Sequence, residues 1–325
     1  MTLGVLSSSP KNDHMLLTAN HIIKQYASHR ALNDVSISID EGNIFGLLGP
    51  NGAGKTSLIR IINQITAPDS GEVIFDGVKL NPSHISQIGY LPEERGLYKK
   101  MKVGEQALYL AQLKGMSKSE ASRKLKIWFE KFEIDAWWHK KVEELSKGMA
   151  QKIQFITTVL HEPKLLILDE PFSGFDPINA NLIKDEILGL AKNGTTVVLS
   201  THNMESVEAI CTHIALINQS TKVLDGSVKD IQKQFSKNTY SVHYQGAPIE
   251  LANAMWANNT LLKNETIDKD QALQHAVIKL DEGISLNDFL TQILSTIKLV
   301  GVQELVPSMN DIFIEVVNKN KHNHG

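Results

Sequence analysis

The stretch Gly49-Pro50-Asn51-Gly52-Ala53-Gly54-Lys55-Thr56-Ser57 completes the pattern G-x-x-x-x-G-K-[ST]. Residues 43–48 before it (Asn-Ile-Phe-Gly-Leu-Leu) read as a short buried strand, and residues 57–62 after it as the start of a helix. Each residue type has a physical task. The glycines let successive backbone N–H groups converge on a polyphosphate, where a Cβ would block the approach. The following helix points the positive end of its dipole at the same anion. Lys55 has the length to reach β- and γ-phosphates, and the Thr56 hydroxyl is a Mg²⁺ ligand in this pattern. A plain glycine turn between strand and helix has no use for that lysine and threonine. The loop therefore predicts an α/β fold built around a bound nucleotide.

The 325 residues are enough for two domains and a substantial core. An apolar share of 42% and a charged share of 21% are those of a globular protein. A net charge of −3 and a pI near 6.5 give no electrostatic reason to expect nucleic acid. Cys211 is the single cysteine, so no disulfide framework exists and a reducing cytoplasm is the expected compartment. No run approaches the length of a membrane span; residues 153–168 come nearest, interrupted by His161, Glu162, Pro163 and Lys164. The start lacks the pattern of a signal peptide. Residues 1–14 read as a disordered leader, with Met15 an alternative start, and there is no internal repeat.

Along the chain, residues 16–24 and 31–40 alternate as half-buried strands around Tyr26-Ala27-Ser28-His29-Arg30. Tyr26 can stack on a nucleobase, although an isolated tyrosine there reads first as an edge residue of a small sheet. Residues 69–72 read as a turn, 73–77 as a strand and turn, and 88–92 as a strand leaving into the charged loop 93–98. Between 103 and 141 the apolar period becomes helical, with Trp137-Trp138 a core anchor or partner contact rather than a cofactor site. Ser146 reads as a helix N-cap, with the next N–H groups exposed at the helix start.

Leu165-Leu166-Ile167-Leu168-Asp169-Glu170-Pro171 is the second strong signal: a buried parallel-type strand ending in two carboxylates. Ligands of open α/β sheets bind at that edge. Asp169 can enter a Mg²⁺ shell, leaving Glu170 free to polarise a water. Residues 172–177 follow as a loop, 178–192 as a helix and 195–200 as a strand ending at Thr201-His202. That strand should lie beside the Asp169 strand, putting the His202 imidazole within reach of a γ-phosphate. Strands at 214–217 and 222–224 and a turn at 225–227 end this region.

From about residue 235 the texture changes. A strand at 240–244, a helix at 249–256, strands at 261–266 and 276–280, a helix at 286–297, a strand at 302–306 and a helix at 309–317 are expected. The order β-α-β-β-α-β plus a helix suggests a ferredoxin-like module. It has no phosphate loop, Cys/His cluster or triad spacing, and we assign it a regulatory or dimerising role.

Leu145-Ser146-Lys147-Gly148, lying 23 residues ahead of Asp169, makes the set more particular. Residues 16–235 resemble the nucleotide-binding subunit of an ATP-binding-cassette (ABC) transporter, with every landmark in order. Residues 49–57 match the Walker A loop, 165–170 Walker B, 173–176 the D-loop, 145–148 the signature segment and His202 the switch histidine. Tyr26 then matches the adenine-stacking aromatic. Residues 90–98 and 307–314 resemble the sodium-extrusion and antibiotic-resistance exporter branch. Two positions depart from the pattern: Glu93 stands where the family has its Q-loop glutamine, and Lys147 and Met149 replace the signature's second glycine and glutamine.

The resemblance implies a RecA-like P-loop ABC ATPase core with an antiparallel β subdomain and a helical subdomain at about 100–160. It implies domains at 15–235 and 236–325, the latter a small α+β unit. It further implies an ATPase in which two copies close head-to-tail around two Mg-ATP. Each site would use Tyr26, residues 49–57, Glu93, Asp169, Glu170 and His202 of one subunit with Ser146, Gly148 and Asp176 of the other. Lys55, Glu170 and His202 would be catalytic; Thr56, Asp169 and Glu93 would hold Mg²⁺. A separate membrane permease, contacted through 93–98 and 103–141, would keep the chain at the inner face of the cell membrane and export ions or drugs. The rival is a soluble ABC-type switch without a permease. It is disfavoured by the single cassette and the lack of a long heptad insertion.

Overall fold

The computed structural model describes residues 14–94, 96–255, 259–268, 271–281 and 283–322. The leader proposed for 1–14 lies outside them except for His14, as do Arg95 and Trp256. The chain divides into two compact units, the first ending at Val228 and the second beginning at Lys229.

In the first unit, an antiparallel sheet is formed by β1 (Met15–Tyr26), β2 (His29–Asp40), β4 (Ser70–Phe75) and β5 (Val78–Lys79), in the order β2-β1-β4-β5. A second sheet comprises β3 (Ile44–Leu48), β6 (Ile88–Leu91), β7 (Leu165–Asp169), β8 (Thr196–Ser200), β9 (His213–Asn218) and β10 (Thr221–Ser227). Its order is β10-β9-β3-β8-β7-β6, parallel throughout except for the β9–β10 hairpin. Every residue of β3, β7 and β8 is buried, which is why these strands read as continuous apolar runs rather than alternating ones. The two sheets share one core, which joins Leu17, Ile22 and Phe75 with Phe45, Ile167 and Val198 and with Leu58 and Ile62 of α1 (Lys55–Ile62).

The helical segment consists of α2 (Val103–Leu113), α3 (Lys118–Lys131) and α4 (Lys147–Val159). Aromatic rings close it: Trp128 lies 6.2 Å edge-on from Phe155, and Trp138 5.3 Å from Phe129. Trp138 is thus the core anchor foreseen, packed so closely on Gly104 that a Cβ there would lie 2.3 Å from the indole. Helices α5 (Pro177–Lys192) and α6 (Met204–Ile210) complete the unit. Among the described residues, no helix is long and apolar enough to cross a membrane.

Two expected turns are strand. Ser70 and Glu72 pair with Ile23 and Asn20, where β1 carries a bulge with His21 and Ile22 opposite Gly71; lacking a Cβ, Gly71 (φ +89°) fits against the Asn20 and His21 carbonyls and lets β4 continue. Residues 225–227 pair with Ala215, Ile214 and His213, extending β10 beyond the expected 222–224.

The second unit contains α7 (Val228–Phe235, beginning at the junction), β11 (Thr239–Gln245), α8 (Pro248–Ala254), β12 (Asn259–Asp268), β13 (Leu273–Leu280), α9 (Leu286–Ile293), β14 (Lys298–Glu304) and α10 (Met309–His322). The sheet order β12-β13-β11-β14, all antiparallel, matches the ferredoxin-like expectation. Tyr240, Val242, Tyr244, Ile278, Leu251 and Phe289 make its separate core. Helix α9 stops short of 297 and β14 starts before 302, because Lys298 and Leu299 are drawn into pairing with Gln245 and Tyr244. Helix α10 runs past 317.

Gly104→Ala should destabilise the first unit by roughly 1–3 kcal/mol through overpacking against Trp138, read as a lower thermal midpoint. A second test uses His161, whose imidazole burial pushes down from 6.5 to about 4. The unfolded chain binds that proton more readily, so stability is full above pH 6.5 and lost as the pH falls toward 4. The loss is roughly 3 kcal/mol, and His161→Gln should flatten the thermal midpoint over that window.

Candidate functional site

The phosphate loop runs from the end of β3 into α1 and is shaped by what lies behind it. A Cβ on Gly49 (φ +149°) would lie 2.1 Å from the Ile217 carbonyl oxygen, and one on Gly54 (φ +117°) 2.3 Å from that of Ala31. Gly52 (φ +77°) instead faces open space, leaving its backbone free to approach a ligand. Lys55 is 8% exposed, and its Nζ donates to the carbonyls of Gly49 (2.7 Å) and Pro50 (3.1 Å). Burial lowers the Lys55 pKa, against the opposing pull of the Glu170, Asp169 and Glu93 carboxylates. The lysine thus sits folded back on its own loop, facing acidic groups across the cleft.

Two of those carboxylates, Asp169 and Glu170, stand at the end of β7, which lies beside β8 with Asp169 opposite Ser200, while Glu93 follows β6. Asp169 is 5% exposed, and burial raises its pKa, with the charges of Glu93 and Glu170 adding to the effect. Glu170 takes a left-handed backbone (φ +49°), a conformation costing of order 1 kcal/mol for a residue with a Cβ. Its own N–H donates to the Ser200 carbonyl at 2.8 Å, and its carboxylate turns toward the end of β8. Glu170 Oε1 accepts from the His202 N–H (2.9 Å) and lies 2.6 Å from His202 Nδ1. Glu170 Oε2 accepts from the Thr201 hydroxyl at 3.1 Å. The strained residue is held by groups on the neighbouring strand end.

A cleft of about 390 Å³ is lined by Tyr26, residues 51–57, Glu93, Asp169, Glu170 and His202. These are the residues predicted for one half of the site, with Gly49 and Pro50 beneath them as acceptors for Lys55. His29 and Ala31 also line it. Sequence reading missed them; the available signal was the tight turn that pairs Tyr26 with His29.

Ser146, Gly148 and Asp176 do not line this cleft. Ser146 Oγ accepts from Met149 N (3.3 Å) at the start of α4, and Asp176 Oδ1 accepts from Ile178 and Asn179 N–H (3.0 Å each) at the start of α5. They belong to one neighbourhood of their own. Lys147 lies across Gly174, Gln151 Nε2 donates to the Ser173 carbonyl, and Gly148 sits beside Phe175. Chemically, the first cluster offers an anion cradle, a lysine, and a carboxylate–imidazole pair suited to accepting a proton from water.

Comparison with known proteins identifies the family. The family model described as ABC transporter matches residues 32–173. A second, described as ATP-binding protein DrrA1-3-like, C-terminal domain, matches residues 226–317, bearing out the resemblance read in the tail. The chain is 42% identical over 303 residues to the ABC transporter ATP-binding protein YhaQ of Bacillus subtilis (strain 168), covering 93% of this chain and 98% of YhaQ. It is 31% identical over 227 residues to the linearmycin resistance ATP-binding protein LnrL of the same organism, covering 69% of this chain and 73% of LnrL. A solved structure of an ATP-binding subunit of an ABC transporter superposes with a TM-score of 0.64 at 29% identity, over 68% of this chain and 93% of that one. The chain belongs to the ABC transporter family, as an ATP-binding subunit: an ATPase that works with a membrane permease.

Proposed function

We propose that two copies of this chain close head-to-tail around two Mg-ATP and drive a permease that exports ions or drugs. The observation that carries the paired site is the separation of its parts. Within one chain, Ser146, Gly148 and Asp176 form a helix-start cluster outside the cleft that holds the phosphate loop, Glu170 and His202. Two-fold pairing brings the exposed α4 start of one copy over the phosphate loop of the other, a self-complementary contact. The export reading is supported by the resistance function in LnrL's name and by the DrrA1-3-like tail. Contact with the permease is assigned to the loop 93–98 and the helical segment, which places the chain peripherally on the cytoplasmic face of the membrane.

In each site Tyr26 stacks on the base, the loop 49–57 cradles the phosphates, and Lys55 leaves the Gly49 and Pro50 carbonyls for the β- and γ-oxygens. Glu170 accepts the proton of the attacking water, and His202 holds Glu170 and the γ-phosphate in register. The donor set suits Mg²⁺: Asp169, Glu93 and Glu170 carboxylates and the Thr56 hydroxyl face one cleft, and burial of Asp169 leaves its charge in need of a cation. Thr56, Asp169 and Glu93 would hold the ion, which when bound neutralises charge on the phosphate oxygens.

Glu170→Gln keeps the cradle and removes the base. Turnover should fall roughly 10²–10⁴-fold while ATP binding persists and a closed dimer accumulates by light scattering. Turnover near wild type would sink the base assignment. The same variant with ATP should retain a polytopic membrane protein from detergent-solubilised membranes; recovery of ribosomes or DNA would overturn the transport reading. Lys55→Ala should instead weaken equilibrium ATP binding by roughly tenfold or more, through loss of charge-assisted phosphate contacts.

A further inference from the structure

Tyr26 lines the nucleotide cleft, whereas Lys24 does not, yet the Lys24 ammonium lies over the Tyr26 ring, 5.4 Å from its centroid. The cation thus lies over one face of the ring while Lys24 itself stays out of the cleft lining. It is held there. Lys24 Nζ donates to Asp69 Oδ1 at 2.8 Å, and the lysine side chain is 12% exposed. Asp69 Oδ2 accepts from the Gln25 N–H at 2.6 Å, and Gln25 Nε2 donates to the Ala27 carbonyl at 3.0 Å. Both chain neighbours of Tyr26 are thus fixed, Gln25 by Asp69 and Ala27 by Gln25.

We infer that Lys24 is a positioning residue for nucleobase binding: braced by Asp69, it fixes the Tyr26 ring and withdraws π density from its cleft-facing side, favouring a purine stacked there. The inference rests on the reading of Tyr26 as the base-stacking residue. The physical reasons are two. A cation on one face of an aromatic ring is attracted by its quadrupole and leaves the other face poorer in electrons, the better partner for an electron-rich purine. A ring already ordered before the nucleotide arrives also reduces the entropy lost on binding. Lys24 touches neither base nor phosphate in this arrangement, so its effect should be confined to the base end of the ligand.

The test compares Lys24→Met, which keeps the stem and removes the ammonium, with Lys24→Arg, which restores a cation. Lys24→Met should raise the ATP Kd roughly 3–10-fold, with kcat within about twofold of wild type. The inhibition constant of tripolyphosphate, which has no base, should not move. Lys24→Arg should return ATP affinity to near wild type. In a Tyr26→Ala background Lys24→Met should add nothing, the coupling expected of residues acting through one another. If Lys24→Met yields no folded protein, Lys24→Gln against Lys24→Arg makes the same comparison. An unchanged ATP Kd in Lys24→Met alongside a weakened one in Tyr26→Ala would overturn the inference and leave base stacking standing. Equal loss for ATP and tripolyphosphate would overturn it as well, showing that Lys24 acts on the fold. An unchanged ATP Kd in Tyr26→Ala would remove the stacking reading and the inference with it.

Discussion

The phosphate loop is wedged between two other backbones, and that contact organises the first unit. On one side the Ile217 carbonyl at the end of β9 leaves no room for a Cβ at Gly49; on the other the Ala31 carbonyl of β2 leaves none at Gly54. The two walls are tied together. Ser220 N–H donates to the Ala53 carbonyl, Asn33 N–H to the Ser220 carbonyl, and Ser220 Oγ to the Arg30 carbonyl. The loop therefore cannot take its shape until the antiparallel sheet, carrying β2, and the central sheet, carrying β9, are both in place. Its anion-binding conformation is a product of the assembled fold, and Tyr26 and His29 arrive at its rim by the same assembly.

Charge at the sheet edge follows from burial. Strands β3, β7 and β8 are apolar because helices and the second sheet cover them, so polar groups can appear only where the strands end. There the loop presents N–H groups and Lys55, while Asp169, Glu170 and His202 come from the ends of β7 and β8. Opposite charges concentrated in one low-dielectric cleft interact strongly. Burial alone disfavours both the charged lysine and the charged aspartate, and each is opposed or reinforced by its neighbours. Glu170 is distinct: its left-handed backbone aims the carboxylate at Thr201 and His202, away from the Asp169 direction. Two neighbouring carboxylates thus sit in different surroundings, Asp169 buried beside Ser200 and Glu170 held by the end of β8.

Most of this was readable from residue patterns because the decisive elements are local. A phosphate loop, an apolar run ending in two carboxylates and a serine-capped helix each declare themselves within ten residues. What escaped sequence reading depends on partners distant along the chain. Gly71 reads as a turn residue, and only pairing with β1, which bulges opposite it, carries it inside a strand. Residues 225–227 carry turn chemistry but are recruited by β9. His29 gains its place at the cleft only because the Tyr26–His29 pair closes over the loop. In the tail, Lys298 and Leu299 have no strong strand pattern, and pairing with β11 decides their state.

The altered signature segment can be understood by the same logic of local contact. Where the family carries glycine, Lys147 lays its aliphatic stem across Gly174, whose φ of +82° already excludes a side chain without strain. The Gln151 amide meets the Ser173 carbonyl, and the Ser173 N–H in turn donates to the Glu170 carbonyl at 3.1 Å. A continuous line of contacts therefore joins the start of α4 to the residue that sits between Asp169 and the D-loop. Beside this long cationic residue the α4 start keeps Ser146 and Gly148, the residues through which we propose it meets an anion. Lys147 adds a stem that packs on the D-loop and a charge at the surface where a second nucleotide-bound copy is proposed to close. In the proposed pair of copies, this line of contacts would connect the helix start facing one copy's ATP with Glu170 of its own chain, the kind of link through which one site could report its state to the other.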